Sequence, residues 1–435
     1  MFRFFWIVFC FAVLLWAPSS MWADELQVAA FSCDITPPLG QPLIAGDLIR
    51  TIEQPLLGKG IVLQAGEERY VLCALDWCVL CNNPYRSLRT KIARAAAIPA
   101  GHVALHCVHQ HTAPAIDFHP PKRDKNASAK TPAAQAPEEP QLDPLVFEQL
   151  GDRLAATVGE AVKHLEPFDT IGVGQAKVEQ VASSRRIKDA EGKIPVRWSY
   201  CKDEAVRALP EGRIDPYVKT ITFARGEKPV VRLHYYATHP QTRYRDGRAS
   251  SDLPGDAREA LERKEHVPQV YFTGCAGDIT LGKYNDGTPE SRAAMAARLL
   301  AGMEAAIAAT QFAPAGTVSW YLRELKLPRR ETPANARTEA YFSLDLIALH
   351  IGRAIMLHMP GEPLIEFQLY AQSLKPDEFV AVAGYGDGGP CYICPAAAFD
   401  EGGYEPSASA VKPESETLLK KAIADLLEAK TSSER

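Results

Sequence analysis

The sequence lacks any block of basic residues of the kind that nucleic-acid-binding surfaces use. Its 48 lysines and arginines stand against 53 aspartates and glutamates, and the net charge is -5 at pH 7. Proteins that bind phosphate backbones do so mainly through clustered lysine and arginine. We therefore expect no nucleic-acid partner.

After its first residues the chain also lacks any apolar run of the ~20 residues that cross a bilayer. The one long apolar stretch, residues 4–16, follows Arg3, and the small residue Ala23 stands before Asp24 and Glu25. This pattern is typical of a cleaved secretory signal. No cysteine for lipid attachment stands at the expected cleavage point. We expect a signal peptide at residues 1–23 and a secreted or periplasmic mature chain.

The composition is not that of a disordered protein, because 46% of the residues are hydrophobic and 23% are charged. A chain of 435 residues has ample length for a large core. Residues 120–142 are the exception, since they are rich in proline, alanine and lysine and nearly free of large apolar side chains. This segment is predicted to be a flexible surface insertion.

The cysteines leave several interpretations open. Of the ten cysteines, Cys10 leaves with the predicted signal, and an odd number in the mature chain means that at least one thiol is unpaired. Two C-x-x-C pairs, Cys78 with Cys81 and Cys391 with Cys394, together offer a four-thiolate zinc site. Their wide separation favours local disulfides or buried thiols instead.

Strand-like and helix-like segments alternate along the chain. For example, a helix predicted over residues 84–97 precedes a strand over 103–108, and an apolar stretch over 348–359 is predicted to be one strand. Alternation of this kind indicates an α/β fold. We expect a mixed β-sheet core that is flanked by helices, with active-site loops at the strand ends.

Histidines stand where predicted strands give way to turns that contain proline. His109 and His111 follow the strand over 103–108, and their spacing places both on one face of an extended segment. His239 precedes Pro240 in the same way. Strand ends are common ligand sites in α/β folds. The spacing alone is compatible with a metal site, a catalytic site or a structural role.

A glycine-rich turn runs from Gly274 to Asp278. Its backbone N–H groups are candidates for binding an oxyanion, and a tight strand-to-helix turn is the alternative. Cys275 would be a nucleophile if His239 lay within hydrogen-bonding reach as its base. A thiol hydrolase is therefore one alternative function.

Six short motifs occur in a set order along the chain. They are Asp34-Ile35-Thr36-Pro37-Pro38, His109-x-His111, Ala237-Thr238-His239, Ala276-Gly277-Asp278, Pro360-Gly361-Glu362 and Gly402-Gly403-Tyr404-Glu405. This order resembles that of the neutral/alkaline non-lysosomal ceramidases, and over residues 24–435 the chain resembles the N-terminal catalytic domain of that family. We expect no C-terminal immunoglobulin-like domain, because the chain ends with its last predicted helix.

The resemblance implies a zinc-dependent amidohydrolase of lipid metabolism that cleaves a linear N-acyl amide, either a ceramide-like lipid or another compound. It implies that Zn²⁺ is bound by His109, His239, Glu362 and Tyr392. Such a substrate is compatible with peripheral contact with membrane lipid.

The resemblance also implies catalytic residues. His111 would transfer a proton, while Tyr404 and Arg185 would stabilise the oxyanion of the reacting carbonyl. The family carries a Ser-Asn pair where this chain has Gly274 and Cys275, so substrate-facing positions differ while the implied metal ligands match. A non-catalytic secreted protein that keeps a metal-organised binding pocket is therefore a further alternative.

Overall fold

The computed structural model describes residues 26–118, 140–330 and 339–429. The predicted signal peptide and nearly all of the predicted insertion over 120–142 lie outside the described residues. Within them, mixed sheets are covered by helices, which confirms the predicted α/β class. Among these same residues, no helix combines the length and apolar character needed to cross a membrane.

The described part of the chain folds into short and long strands, with helices inserted between some of them. The strands are β1 (Leu26–Asp34), β2 (Thr51–Ile52), β3 (Leu57–Ala65), β4 (Glu68–Leu75), β5 (Val79–Leu80), β6 (Val103–Cys107), β7 (Ala115–Ile116), β8 (Glu166–Pro167), β9 (Thr170–Lys177), β10 (Ser183–Ser184), β11 (Tyr217–Arg225), β12 (Lys228–Tyr236), β13 (Arg248–Ala249), β14 (Gln269–Thr273), β15 (Ile279–Thr280), β16 (Gln311–Pro314), β17 (Val318–Pro328), β18 (Tyr341–Ile351), β19 (Ala354–His358), β20 (Glu362–Pro363), β21 (Phe379–Ala383) and β22 (Tyr392–Ile393). The helices are α1 (Asn82–Ala96), α2 (Pro144–Ala161), α3 (Glu204–Ala208), α4 (Asp252–Glu265), α5 (Pro289–Ala308), α6 (Ile365–Leu374), α7 (Ala396–Glu401), α8 (Tyr404–Ala408) and α9 (Ser415–Leu427).

Three larger sheets share one strand plan. In each, three long strands pair antiparallel in chain order, and a helix then leads to a fourth strand that runs parallel to the third. Unit one is β1, β3, β4, α1 and β6; unit two is β9, β11, β12, α4 and β14; unit three is β17, β18, β19, α6 and β21. The short strands β8 and β16 extend the first two sheets. The fold is therefore built from three similar units.

The prediction of one strand over 348–359 is wrong. The chain reverses at Gly352, whose φ of 55° is left-handed, and the two arms form the antiparallel pair β18 and β19. Glycine adopts this conformation without the steric cost that a Cβ brings. Apolar residues on both sides of the turn make the two strands look like one continuous run.

Helices cover the sheets and close two cores. The larger hydrophobic cluster joins units one and two and one face of the unit-three sheet with α1, α2, α4 and α5, and the second lies between the other face of the unit-three sheet and α6 and α9. A buried ion pair ties the first two units together, because both terminal nitrogens of Arg258 on α4 donate to the carboxylate of Asp76 at 2.9 and 2.8 Å. Asp76 directly follows β4, so this pair also fixes the end of that strand.

The fourth strands of the three units end next to one another. The N–H of Cys107 donates to the Tyr385 carbonyl at 2.9 Å, and the Thr273 hydroxyl donates to the Val108 carbonyl at 2.6 Å. The N–H of Gly384 donates to the Thr273 carbonyl at 2.9 Å, which closes a ring of hydrogen bonds. The loops that follow the strands therefore converge on one region, which carries the candidate site.

Candidate metal centre

Three donor atoms meet where the loops of the three units converge. His109 lies two residues after β6, His239 three after β12, and Glu362 four after β19. The two Nε2 atoms are 3.1 Å apart, and the Glu362 Oε2 lies 3.2 Å from the Nε2 of His109 and 3.5 Å from that of His239. Each unit contributes one donor.

Hydrogen bonds on the far side of each ring set the tautomers of the two histidines. The Nδ1 of His109 donates to the Cys78 carbonyl at 2.7 Å, and the Nδ1 of His239 donates to the Ala276 carbonyl at 2.6 Å. Because the proton is on Nδ1, each Nε2 presents a lone pair to the centre. Burial lowers the pKa of His239 to about 4, so this imidazole is neutral at neutral pH.

One of the three ligand atoms, the Oε2 of Glu362, is a buried hydrogen-bond acceptor without a hydrogen-bond donor in the described part of the chain. The carboxylate of Glu362 belongs to this group of three. No donor among the described residues reaches its Oε2, since both facing Nε2 atoms lack a proton. Three electron-rich atoms in contact are unfavourable without a cation between them.

The donor set fits a zinc ion. Tetrahedral zinc with bonds of about 2.0–2.2 Å places its ligand atoms roughly 3.3–3.6 Å apart, close to the distances of 3.1 to 3.5 Å seen here. Two imidazoles and one carboxylate form a common catalytic zinc set that leaves one position open. The carbonyls that hold the Nδ1 atoms are the usual outer partners of such histidines.

Tyr392, the fourth predicted ligand, lies beside Glu362. The two residues are paired in the short parallel sheet of β20 and β22. The Tyr392 hydroxyl accepts a hydrogen bond from Nη2 of Arg185 at 3.1 Å. Burial raises the pKa of Tyr392 well above its usual value, while the Arg185 charge opposes that rise. The structure therefore brings Tyr392 to the edge of the donor cluster.

Arg185 is held by a buried ion pair and positions two tyrosines. Its Nε donates to Glu405 at 2.7 Å, and its Nη2 donates to the Gly277 carbonyl as well as to Tyr392. The guanidinium also lies over the rings of Tyr392 and Tyr404, at 5.5 and 5.2 Å from their centres. Two of its three nitrogens are thus engaged within the protein.

His111, the predicted proton-transfer group, lies beside the donors. Its ring centre is 5.0 Å from that of His109 and 5.7 Å from that of His239. Both ring nitrogens are buried and have no hydrogen-bond partner among the described residues. Burial, reinforced by the two neighbouring histidines, holds its pKa well below the usual value. The ring is therefore neutral, with both nitrogens available to a ligand or water.

Sequence reasoning missed Tyr385. Its ring stacks on His109 with the ring centres 4.2 Å apart, and its hydroxyl is 3.4 Å from the Nδ1 of His239. Tyr385 lies two residues after β21, as His109 lies two after β6, and both have a left-handed φ, 62° and 72°. The repeated unit plan marks this position, but that plan is visible only in the structure.

The cysteine predictions resolve in favour of buried thiols. All nine cysteines after residue 23 are free, and all but Cys391 are buried. The four-thiolate zinc site is wrong, because the candidate ligand groups among the described residues do not combine the two C-x-x-C pairs. Cys78 instead groups with His109 and His111, and its Sγ lies 3.8 Å from the Nδ1 of His109.

The structure contradicts the thiol-hydrolase alternative. The fully buried Sγ of Cys275 contacts the Met359 sulfur at 3.9 Å, while His239 directs its Nδ1 to Ala276 and its Nε2 to the donor cluster. Burial also raises the pKa of Cys275 well above its usual value. The thiol is therefore protonated and has no base.

The interpretation of the glycine-rich turn as an oxyanion site is also wrong. The N–H groups of Gly274, Cys275 and Gly277 donate to the Tyr236 carbonyl, the Gln368 side chain and the Pro363 carbonyl. These donors are already used within the protein. The turn leads into β15 and not into a helix.

Comparison with known proteins finds the fold but no sequence relative. No protein-family model and no curated protein matches the chain. The structure is similar to that of neutral ceramidase from Pseudomonas aeruginosa, with a TM-score of 0.73 and 13% identity over 93% of this chain and 74% of that chain. It is also similar to a ceramidase complexed with C2, with a TM-score of 0.71 and 11% identity over 93% of this chain and 75% of that one. At this identity the likeness establishes the fold alone: the chain has a neutral-ceramidase-like fold.

Proposed function

We propose that this chain is an exported zinc-dependent hydrolase that cleaves an N-acyl amide, either a ceramide-like lipid or another N-acyl compound. One observation carries the proposal. The Nε2 atoms of His109 and His239 and the Oε2 of Glu362 lie 3.1 to 3.5 Å from one another with no proton between them. The fold supports it, because the two similar structures are ceramidases.

The proposed zinc ligands are these three residues together with Tyr392. Zinc bound there would lower the pKa of a coordinated water to about 7 and so supply hydroxide at neutral pH. The Nδ1 hydrogen bonds to backbone carbonyls hold the two imidazoles in the orientation and tautomer that ligation requires. The chain thus holds its donors in the arrangement that ligation requires.

The surrounding side chains supply the remaining proposed roles. His111 has two unpaired ring nitrogens beside the donors, which suits it to pass a proton to the leaving amine. Tyr404 lies against Tyr392, with ring centres 5.6 Å apart, and its hydroxyl is the proposed donor to the oxyanion. Arg185 keeps both tyrosines in place and adds positive charge on their inner side.

Metal content tests the ligand assignment. We expect purified protein to carry close to one zinc per chain by elemental analysis, and His109→Ala and Glu362→Ala to lose it. His164→Ala, at an exposed histidine far from the cluster, is the matched control and should keep the metal. Full zinc content in both ligand variants would refute the assignment.

Turnover tests the reaction class. The zinc-loaded protein should hydrolyse fluorogenic N-acyl amides from a series of increasing acyl length, with esters tested in parallel. His239→Ala provides the background rate. Zinc binding without hydrolysis above that background would favour the alternative function of a non-catalytic metal-containing binding protein. Hydrolysis of esters alone would show that the acyl substrate is not an amide.

A further inference from the structure

A short loop near the candidate site alternates buried polar residues with exposed aromatic rings. Arg197 and Ser199 are 1% and 3% exposed, whereas Trp198 and Tyr200 are 50% and 40% exposed. Large aromatic side chains are usually buried at least in part against their own fold. Two of them in succession on the surface therefore call for a partner or a fixed role.

The buried residues hold this segment rigidly. The guanidinium of Arg197 donates to three backbone carbonyls between residues 206 and 210, at 2.8 to 3.2 Å. The Ser199 hydroxyl donates to the side-chain oxygen of Gln241 at 2.7 Å. Gln241 is two residues after His239, so the segment is tied to a loop that carries one of the three clustered donors.

Close backbone packing fixes Trp198 further. A Cβ atom at Gly282 would lie 1.9 Å from the Trp198 carbonyl oxygen, so only glycine allows the two backbones to approach in this way. The exposed indole is therefore presented by a backbone that is fixed on both sides. Its exposure is a property of the fold and not of a loose loop.

The indole is the outermost ring of an aromatic row that begins at the candidate metal centre. Tyr392 is buried beside Glu362, Tyr404 is partly buried against Tyr392, and Trp198 lies edge-on to Tyr404 with ring centres 5.0 Å apart. Exposure thus rises ring by ring from the centre to the surface. The rings of Tyr404 and Trp198, here called the wall, thus lie between the candidate metal centre and the surface.

We infer that Trp198 is a specificity-determining residue, and that its exposed face contacts the acyl chain of the substrate. The inference rests on the proposed function, because an N-acyl compound bound at the metal centre must extend its hydrocarbon chain away from that centre. The wall made by Tyr404 and Trp198 provides apolar surface for it. Burial of apolar surface then favours long chains over short ones.

The kinetic test compares acyl chain lengths in one variant series. Acetyl and dodecanoyl anilides, used as monomers in solution, give the ratio of kcat/KM for the long chain to that for the short chain. Trp198→Ala should lower this ratio about 10-fold or more, mainly through KM, and Trp198→Phe should restore most of it. Tyr200→Ala, at the other exposed ring of the segment, is the matched control and should change the ratio less than about 2-fold.

A binding test separates this inference from the proposed reaction. After residue 23 the chain has tryptophan only at positions 77, 198 and 320, and Trp77 is fully buried. Titration of dodecanoate into the zinc-loaded protein should therefore change the tryptophan emission, and Trp198→Phe should remove most of that change. This readout requires no turnover.

Three outcomes of these tests separate the acyl contact from the hydrolase function and from a membrane contact. A dodecanoate signal that depends on Trp198, without hydrolysis of any anilide, would support the acyl contact and refute the hydrolase. Hydrolysis with an unchanged chain-length ratio in Trp198→Ala would refute the acyl contact and leave the hydrolase standing. Loss of binding to phosphatidylcholine vesicles in Trp198→Ala, with the ratio unchanged, would identify the ring as a membrane contact and also overturn the inference.

Discussion

The fold should become less stable in mild acid because of a buried neutral histidine in β12. The Nε2 of His234 donates to the side-chain oxygen of Gln269 at 2.7 Å, and its Nδ1 accepts from the Thr220 hydroxyl at 2.9 Å. The side chain is fully buried, and burial lowers its pKa to about 4. Protonation would remove the acceptor on Nδ1 and place a charge in the core.

The sign and size of the effect follow from the two pKa values. The unfolded chain takes up a proton at this histidine below about pH 6.5, whereas the folded chain does so only near pH 4. Stability is therefore intact above pH 6.5 and is lost progressively as the pH falls from 6.5 towards 4. Between pH 7 and pH 5 the loss from this one residue is about 2 kcal/mol, out of about 3 kcal/mol in total.

Urea unfolding at pH 7 and pH 5 measures this loss. With a chelator in every sample, the change in unfolding free energy between the two pH values should be about 2 kcal/mol smaller for His234→Gln than for the wild type. His164→Gln, at an exposed histidine, should keep the wild-type pH dependence. Equal pH dependence in the wild type and His234→Gln would show that the buried imidazole is not neutral, and the reasoning would fail.

Three further predictions concern the ion pairs and the metal. Asp76→Asn removes the carboxylate that both terminal nitrogens of the fully buried Arg258 contact and leaves Glu259 as its remaining ion-pair partner among the described residues, so it should cost about 3 kcal/mol in urea unfolding. The double variant Asp76→Leu with Arg258→Met should recover most of that loss, and a double variant no more stable than the single would contradict the pairing. Glu405→Gln weakens the ion pair that holds Arg185, and should lower kcat at least 10-fold with zinc content unchanged by elemental analysis; an unchanged kcat would exclude a positioning role. Chelation should lower the Tm of the zinc-loaded protein and added zinc should restore it; His239→Ala should show neither shift, and a Tm in the wild type that is insensitive to the chelator would exclude a tightly held metal.

Local pattern was enough to predict most elements and the class of the fold. The predicted helix over 84–97 is α1, Asn82–Ala96, and the predicted strand over 103–108 is β6, Val103–Cys107. The helix has apolar residues at helical spacing, and the strand is a short apolar run. The stretch over 348–359 failed, because hydrophobic periodicity does not mark a two-residue turn between two buried strands.

The candidate site was predictable only in part, because its geometry depends on contacts between distant segments. His109 and His239 stand at strand ends that the sequence shows, and the family resemblance led to Glu362. Neither the pattern nor the resemblance indicated that Glu405 pairs with Arg185, 220 positions away. The sequence also did not indicate a role for Trp198, because that role depends on its contact with Tyr404.

The three-unit plan was hidden for a chemical reason. The position two residues after the fourth strand is occupied by His109 in unit one, Cys275 in unit two and Tyr385 in unit three. A polar ring, a buried thiol and a phenol share no sequence signature, although the backbone delivers all three to the same region. Only the strand order and register reveal that these positions correspond.

The assembly of the centre from three units has a consequence for when metal can bind. His109, His239 and Glu362 belong to different units, so a chain with only one or two of them folded offers at most two of the three donors. The full set of three donors therefore exists only once all three units have folded against one another. Under the proposed function, zinc would be bound at full strength only by the completed tertiary structure.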